Sequence, residues 1–330
     1  MAARLVADVK AVAARRRATV LGPLLFNFYI HDILENFNED FSNEIKIKLF
    51  ADDLKAYIEF NPYKKTENYS YKLQIFIDYF YQWCNLNGLT ISNFKCSILH
   101  MGINNPKANY YIEKFEIEKV TIARDLGIYI TPNLNWFKHI LHKSKIANAR
   151  FFAIFKAFKS DDPKFLCKLY TCYVRPILEF GSSVFNSNIV KNIEKLESVQ
   201  KRITRLIFSR CLFRRYPCPP EYSRRLEILD LEPLKTRYLK KDLTLVHKFR
   251  LGEYSMLNKT LDFSLMKKKR NRYYNFIAGA RSKVRNNSFY IRAVKKYFKL
   301  PPEIIEAKNV HLFKQKLDDI NVVPICSVLC

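Results

Sequence analysis

The sequence has few glycines and no cysteine pair with metal-binding spacing. Its 330 residues include 7 glycines, well below the roughly 7% of an average chain. Few glycines among many long side chains indicate a helix-rich protein with few tight turns. The 8 cysteines form no C-x-x-C pair, so the sequence does not support a zinc knuckle or finger. We interpret them as reduced thiols of an intracellular protein.

Long apolar runs are also missing. No run approaches the ~20 residues of a membrane-spanning helix, so we expect no membrane association. Hydrophobic residues make up 48% and charged residues 27% of the chain, proportions typical of folded proteins. A chain of this length can bury a sizeable core and divide into two or three domains.

Acidic residues are the minority charge. Lys and Arg number 57 against 31 Asp and Glu, for a net charge of +26. The excess is uneven, because residues 191–300 hold 29 basic and 9 acidic side chains. A field of this size favours a polyanionic partner, most commonly nucleic acid. The alternative is a lysine-rich surface that is merely solvated.

Local patterns predict a mixed α+β chain. Gly22-Pro23 opens a helical pattern, with proline in the first turn where its missing N–H costs nothing. Strict alternation over 45–50 resumes over 54–60 after an acidic interruption, which predicts a hairpin. Further predicted elements are a helix over 71–87, strands over 89–99 and 125–130, and helices almost throughout after Trp136.

Asp52 and Asp53 at the tip of the predicted hairpin are the strongest chemical signal. Adjacent carboxylates repel each other unless a cation lies between them or water screens them. Mg²⁺ prefers oxygen ligands, and two-metal sites use shared carboxylates for phosphoryl transfer. The alternative is a solvent-exposed turn, since aspartate is common in turns.

Several motifs occur in one order. Val20-Leu21-Gly22-Pro23-Leu24-Leu25-Phe26 followed by Leu49-Phe50-Ala51-Asp52-Asp53 resembles consecutive motifs of reverse transcriptases of non-LTR (LINE-like) retrotransposons. The chain is similar to a C-terminal fragment of these enzymes, from the nucleotide- and template-contact motif onward. Further stretches that match the family in order are 83–89, 93–96, 125–130, 134–140, 173–181 and 196–202.

The resemblance implies specific site residues. Asp52 and Asp53 would be the metal ligands and catalytic acids, holding Mg²⁺ (or Mn²⁺). Lys95 corresponds to a family lysine proposed to protonate the leaving pyrophosphate, although a surface lysine is an equal alternative. Gly22 and Phe50 would contact the nucleotide or template. The implied primer contacts are Leu126, Gly127 and Ile128.

One element of the family pattern is missing. The polymerase needs a third carboxylate from an upstream Phe-x-Asp motif, but the sole acid before Gly22 is Asp8. Residues 9–21 are too few to hold the intervening finger helix, so Asp8 is a weak candidate ligand. We therefore expect little or no polymerase activity from this chain alone.

The implied architecture is a partial right-hand polymerase. Residues 1–19 are expected to be unrelated or disordered, 20–137 a partial palm of antiparallel sheet and helices, 138–212 an all-α thumb, and 213–330 a basic helical tail. Cations on exposed faces would contact the nucleic-acid backbone. These candidates are Lys195, Lys201, Arg202, Arg205, Lys267, Lys268, Lys269 and Arg270. For the last four, a nuclear-localisation patch or a solvated charge run remains open.

The resemblance further implies an activity and partners. The parent enzyme would be an RNA-directed DNA polymerase using an RNA template, a DNA primer and deoxynucleoside triphosphates. Such an element acts inside the cell and integrates its copy in the nucleus. The alternative function is a non-enzymatic nucleic-acid-binding fragment.

Overall fold

The computed structural model describes most of the chain. The described backbone comprises residues 2–11, 21–31, 33, 45–59, 69–102, 105–186, 189–253, 267–269, 272–274 and 282–320. Side chains of 2–11 and of the strands at 267–269 and 272–274 are not described. The chain divides into two compact units, Met1–Asn135 and Trp136–Cys330.

The described part of the first unit is an α+β structure with ten strands. They are β1 (Ala2–Ala11), β2 (Ile45–Phe50), β3 (Asp53–Glu59), β4 (Leu89–Ile91), β5 (Ser97–Met101), β6 (Tyr111–Ile112), β7 (Phe115–Glu116), β8 (Glu118–Lys119), β9 (Ala123–Asp125) and β10 (Ile128–Ile130). Its described helices are α1 (Gly22–Tyr29), α2 (Tyr69–Leu86) and a 3₁₀ turn, Asn93–Lys95.

Six strands form the main sheet. Its order is β2-β3-β1-β5-β8, and β4 also pairs with β1. All pairings are antiparallel except that of β5 with β8. The strand β1 is therefore central, with β3 on one side and β4 and β5 on the other.

The position of β1 differs from the expectation that residues 1–19 are unrelated or disordered. Ala2–Ala11 pairs with three strands of the sheet. Leu5, Val6 and Val9 are apolar and the two valines are β-branched, which favours a strand. The N-terminal segment is thus an integral part of the first unit.

Alternation builds the core of the first unit. Leu54, Ala56 and Ile58 of β3 are buried, and Ile45 of β2 lies opposite Ile58. As predicted, one side of α2 closes over this face. Its buried residues are Leu73, Phe76, Ile77, Phe80, Trp83 and Cys84.

Two sequence-based strand predictions were too simple. The strand predicted over 89–99 is β4 and β5, separated by the 3₁₀ turn Asn93–Lys95. The strand predicted over 125–130 is instead a hairpin of β9 and β10. Its turn consists of Leu126 and Gly127, whose φ angles are 45° and 80°, the left-handed pair that a two-residue type I′ turn requires.

The second unit is almost entirely helical in its described part. Its helices are α3 (Phe137–Ala157), α4 (Pro163–Leu169), α5 (Arg175–Glu179), α6 (Ser182–Phe185), α7 (Val190–Cys211), α8 (Tyr222–Ile228), α9 (Leu234–Arg250), α10 (Lys283–Asn286), α11 (Phe289–Tyr297), α12 (Pro302–Ile305) and α13 (Val310–Asp318). A π-helical turn, Tyr170–Val174, joins α4 to α5.

Two hydrophobic clusters stabilise the second unit. The first is formed mainly by α3 to α7, where the predicted stripe on α7 buries Leu196, Val199 and Ile203. The second joins α9, α11 and α13 around Val246, Tyr297 and Phe313. In both clusters the apolar sides of amphipathic helices pack against one another rather than against a sheet.

The basic run in the C-terminal tail departs from the predicted helix. Lys267–Lys269 forms β11 and pairs with β12, Arg272–Tyr274. Tyrosines favour strands, which accounts for the pairing of this short segment. Arg270 lies outside the described residues. Across the described chain, no helix is long and apolar enough to cross a membrane.

Candidate active site

Asp52 and Asp53 lie at a tight hairpin turn, as predicted. Phe50 of β2 pairs with Asp53 of β3, so Ala51 and Asp52 alone form the turn. Ala51 has a φ of 50°, a left-handed conformation that is strained for a residue with a Cβ. Asp52 is exposed and Asp53 is half-buried. The turn therefore presents one carboxylate to solvent and keeps the next one at the first position of the interior strand β3.

The two faces of β3 differ in chemistry. Leu54, Ala56 and Ile58 point into the core, and alternation puts Asp53 and Lys55 on the opposite face. A register shift of one residue would bury the carboxylate and expose the core residues. The hydrophobic pattern thus determines which face carries the acid.

Asp8 lies directly opposite Asp53 in the sheet. The register of β1 with β3 pairs these two residues, and that of β2 with β3 pairs Phe50 with Asp53. Residues directly opposite in antiparallel strands share a face. Phe50, Asp53 and Asp8 therefore form one row across three strands, beside the turn that carries Asp52.

This register makes Asp8 a stronger candidate metal ligand than its position in the sequence indicated. Sequence spacing made it a weak candidate because residues 9–21 are few. The sheet brings it to the acidic hairpin all the same, since strand order does not follow chain order. The register thus places Asp8 beside the acidic hairpin.

Lys95 lies in a turn that flanks Asp8 from the other side. Ile91 of β4 pairs with Val9, and Ser97 of β5 pairs with Val6. The chain between Ile91 and Ser97 therefore leaves and rejoins the sheet alongside Asp8. Lys95 is exposed there, in the 3₁₀ turn. Its backbone is thus next to the row of acids.

The predicted primer-contact residues form the tip of the β9–β10 hairpin. Leu126 is 43% exposed, and Gly127 and Ile128 are half-buried. Asp125, immediately before the turn, forms an ion pair with Lys55 of β3. The tip is thus connected to the strand that carries Asp53.

Sequence reasoning did not identify the roles of Lys55 and Asp125 in this connection. Seventy positions separate them along the chain, so no local pattern links them. The available signal was the position of Lys55 in the alternation of β3, where it shares a face with Asp53. A lysine two residues after an acidic turn is a candidate partner for any acid packed on that face.

Gly22 begins α1, with proline in its first turn. The helix is only partly embedded in the unit: Ile30, just after it, is buried, but Leu25 and Phe28 are 62% and 70% exposed. Tyr29 donates a hydrogen bond to the carbonyl of Asn87, just after α2. This contact connects the end of α1 to the stretch 83–89 that matches the family.

The predicted phosphate-contacting residues of α7 face outward. Lys201, Arg202 and Arg205 are exposed and Lys195 is half-buried. Two of them lie over aromatic rings: the Arg202 guanidinium is 4.7 Å from the centroid of Phe152, and the Lys201 ammonium is 5.3 Å from that of Tyr222. Cations beside accessible rings can bind nucleic acid through charge and stacking. Lys267, Lys268 and Lys269 lie on β11, described by its backbone alone.

The acidic row fits a hard divalent cation better than other metals. Carboxylate oxygens are the ligands that Mg²⁺ and Mn²⁺ prefer. Among the described side chains, no group of three His, Cys, Asp or Glu could hold a metal ion. A three-carboxylate site therefore depends on Asp8 in addition to Asp52 and Asp53.

Comparison with known proteins relates part of this chain to a protein family. The family model described as reverse transcriptase (RNA-dependent DNA polymerase) matches residues 19–166. A curated Caenorhabditis elegans protein described as uncharacterized is 28% identical over 132 residues, which are 40% of this chain and 65% of that protein. The chain thus spans slightly less than two thirds of the length of this relative. No solved structure matches the present chain. Residues 19–166 therefore carry a reverse transcriptase domain.

Proposed function

We propose that this chain is part of the RNA-directed DNA polymerase of a non-LTR retrotransposon, with a metal site at Asp8, Asp52 and Asp53. The observation that carries the proposal is the row Phe50–Asp53–Asp8 beside the Asp52 turn. A sheet that places Asp8 opposite Asp53, beside the Asp52 turn of the reverse transcriptase domain, is suited to two-metal nucleotidyl transfer. In this proposal the first unit is the palm.

The carboxylates would hold Mg²⁺ (or Mn²⁺). When bound, two such ions stabilise charge on the attacking and leaving oxygens of phosphoryl transfer. Asp52 is exposed at the turn and available to an incoming nucleotide, while Asp53 is held at the start of β3. The exposed ring of Phe50 would contact the nucleotide or primer, and Lys95 would donate a proton to the leaving pyrophosphate.

Other residues would bind the nucleic acids. The Leu126–Gly127–Ile128 tip would contact the DNA primer, and Gly22 at the start of α1 would lie near the template or nucleotide. In the second unit, proposed as thumb and basic tail, the cations of α7 would contact phosphates without reading sequence. A retrotransposon enzyme that copies RNA at its integration site would act in the nucleus.

Primer extension on an RNA template tests the proposal. The full chain is incubated with a DNA primer, deoxynucleoside triphosphates and Mg²⁺, and compared with Asp52→Asn and Asp8→Asn. We expect slow extension that both substitutions abolish, because each removes a metal-binding charge. Asp78→Asn is the matched control, since Asp78 is an exposed acid of α2 that bonds Gln74. Equal extension by the wild type and Asp52→Asn would contradict the proposal.

A second candidate is a non-enzymatic nucleic-acid-binding fragment. It is favoured by the outward cations of α7 and by the short segment between Asp8 and Gly22, which cannot contain a finger helix. Binding of primer–template that weakens steeply with salt, without extension above the Asp52→Asn level, would support this function instead. An affinity that does not change with salt concentration would exclude phosphate contact, both for the polymerase and for the non-enzymatic fragment.

A further inference from the structure

Lys55 is a buried cation next to the acidic turn. It is 7% exposed and lies on β3 two residues after Asp53, on the same face. Its cross-strand neighbour on β2, Lys48, is exposed and carries the same charge. A buried ammonium is unfavourable unless an acid accompanies it. The position therefore needs a partner from outside β2 and β3.

Asp125 provides that partner. Its carboxylate forms an ion pair with the Lys55 ammonium, and the two side chains are 13% and 8% exposed. Asp125 is the last residue of β9 and pairs with Ile128 across the two-residue turn. The ion pair therefore lies at the closing pair of the hairpin whose tip is Leu126 and Gly127.

The ion pair connects the Leu126–Gly127 turn to the strand that follows the Ala51–Asp52 turn. Lys55 is about 7 Å from Asp53 along β3, at ~3.3 Å per residue. Asp125 is adjacent in sequence to the left-handed turn. A single buried contact thus fixes the tip of one hairpin relative to the acid at the turn of the other.

Such a pair contributes orientation more than stability. Desolvation of both charges largely offsets their attraction, so a buried pair often stabilises no more than apolar side chains of the same size. Only one placement of the hairpin, however, brings the Asp125 carboxylate to a fixed ammonium. Apolar contact has no comparable direction.

We propose that Lys55 and Asp125 are positioning residues, which hold the Leu126–Gly127 turn so that a primer 3′ end lies next to Asp53. The inference rests on the proposed polymerase function and adds two residues to it. Neither residue contacts the reacting atoms. Their effect would pass through the hairpin to the primer terminus.

The test uses the full chain and a primer–template with 2-aminopurine at the primer 3′ terminus. Fluorescence of this base reports its position, and extension gives KM for the primer–template and kcat. We expect Asp125→Asn and Lys55→Met to change the bound fluorescence and to lower kcat/KM roughly 10- to 100-fold, as misplacement by about 1 Å can do. The matched control is Glu59→Gln, which removes an exposed ion pair with Lys46 at the far end of β3.

A double variant separates positioning from folding. Lys55→Met with Asp125→Leu leaves no charge unpaired, so its thermal midpoint should return to that of the wild type. Its fluorescence and kcat/KM should remain perturbed, because the contact has lost its direction. Recovery of all three properties would overturn the inference and make the pair merely structural.

The design also separates this inference from the proposed function. A wild-type chain that shifts the 2-aminopurine signal, with single variants that fold and give the same signal, overturns the positioning role alone. A wild-type chain that neither binds nor extends the primer overturns both. The expected pattern is a wild-type signal that both single variants lose and Glu59→Gln retains.

Discussion

Asp8 of β1 lies directly opposite Asp53 of β3 in an antiparallel pair. Like charges at directly opposite positions destabilise an antiparallel pair when no cation is present. An arrangement of acids that suits a divalent metal therefore destabilises the pairing of β1 with β3 when no metal is bound. Stability and metal binding at this position should respond to substitution in opposite directions.

Asp8→Asn should expose this conflict. In EDTA, the substitution should raise the free energy of unfolding by about 0.2–1 kcal/mol, because it removes a cross-strand like-charge pair. In Mg²⁺ the gain should shrink or reverse, since the metal binds the wild type more tightly. Urea unfolding with and without Mg²⁺ measures both. A variant that is less stable than the wild type in EDTA would argue against facing carboxylates.

Ala51→Gly should stabilise the acidic hairpin. Ala51 has a left-handed backbone conformation, which costs a residue with a Cβ about 1–2 kcal/mol and glycine very little. Because glycine also gains freedom in the unfolded chain, we expect a net increase of at most ~1 kcal/mol in the free energy of unfolding.

Ala56→Gly is the matched control for that substitution. Ala56 lies in the middle of β3 and is fully buried, so glycine there should destabilise by roughly 0.5–1 kcal/mol. Denaturant unfolding of both variants gives the comparison. Equal losses at the two positions would mean that the turn conformation at Ala51 is not strained.

Arg292→Ala should strongly destabilise the second unit. The Arg292 guanidinium bonds the Asp242 carboxylate at 3.0 Å and also donates to the carbonyl oxygens of Ser183 and Asn287. Removing it leaves Asp242 buried without its ion-pair partner, although Asn186 still donates a hydrogen bond to it. Breaking such a pair costs about 3–5 kcal/mol, which should appear as a lower denaturation midpoint.

An exposed ion pair provides the control for Arg292. Arg224 and Glu227 are 2.7 Å apart on α8, and both side chains are more than 60% exposed. Arg224→Ala should leave the midpoint unchanged, since solvent screens such pairs. Similar losses in the two variants would indicate that charge number, rather than burial, determines stability.

Acid should destabilise the second unit through two buried histidines. Burial, with the nearby charges of Lys143 and His142, lowers the pKa of His139 to about 4. Burial, with the charge of Arg250, lowers the pKa of His247 to about 4. The unfolded chain binds these protons near pH 6.5, so their contribution to stability is complete above pH 6.5 and is lost as pH falls towards 4.

The contribution of His247 can be isolated. Its Nδ1 lies 2.7 Å from the hydroxyl of Tyr297, and its ring stacks on Phe313. His247→Phe should lower overall stability. It should also flatten the plot of unfolding free energy against pH between 6.5 and 4, by up to the slope that the binding of one proton contributes. A slope identical to that of the wild type would show that His247 is not neutral in the folded state.

Much of the first unit follows from local sequence patterns. Alternation in 45–50 and 54–60 predicts β2 and β3, and the helical stripe from Leu73 to Cys84 predicts α2. These predictions succeed because one buried face imposes a fixed period on the side chains. The acidic turn was predictable for the same reason, since it interrupts the alternation.

Long-range pairings were not predictable in this way. The opposition of Asp8 and Asp53 depends on strand order, and the contact of Lys55 with Asp125 depends on how a later hairpin packs. Neither leaves a periodic trace in the sequence. The short 3₁₀ and two-residue turns that divide the predicted strands are governed by one or two residues, such as Gly127, and are easily missed within an apolar run.

The central position of β1 has a consequence for solubility. A chain that begins after Ala11 would leave β3 and β5 facing an empty slot, each with a row of unpaired amides and carbonyls. Open edges of this kind recruit strands from other molecules. Shortened forms of this protein should therefore aggregate through the gap, and a synthetic peptide of residues 1–11 added during refolding should suppress that aggregation.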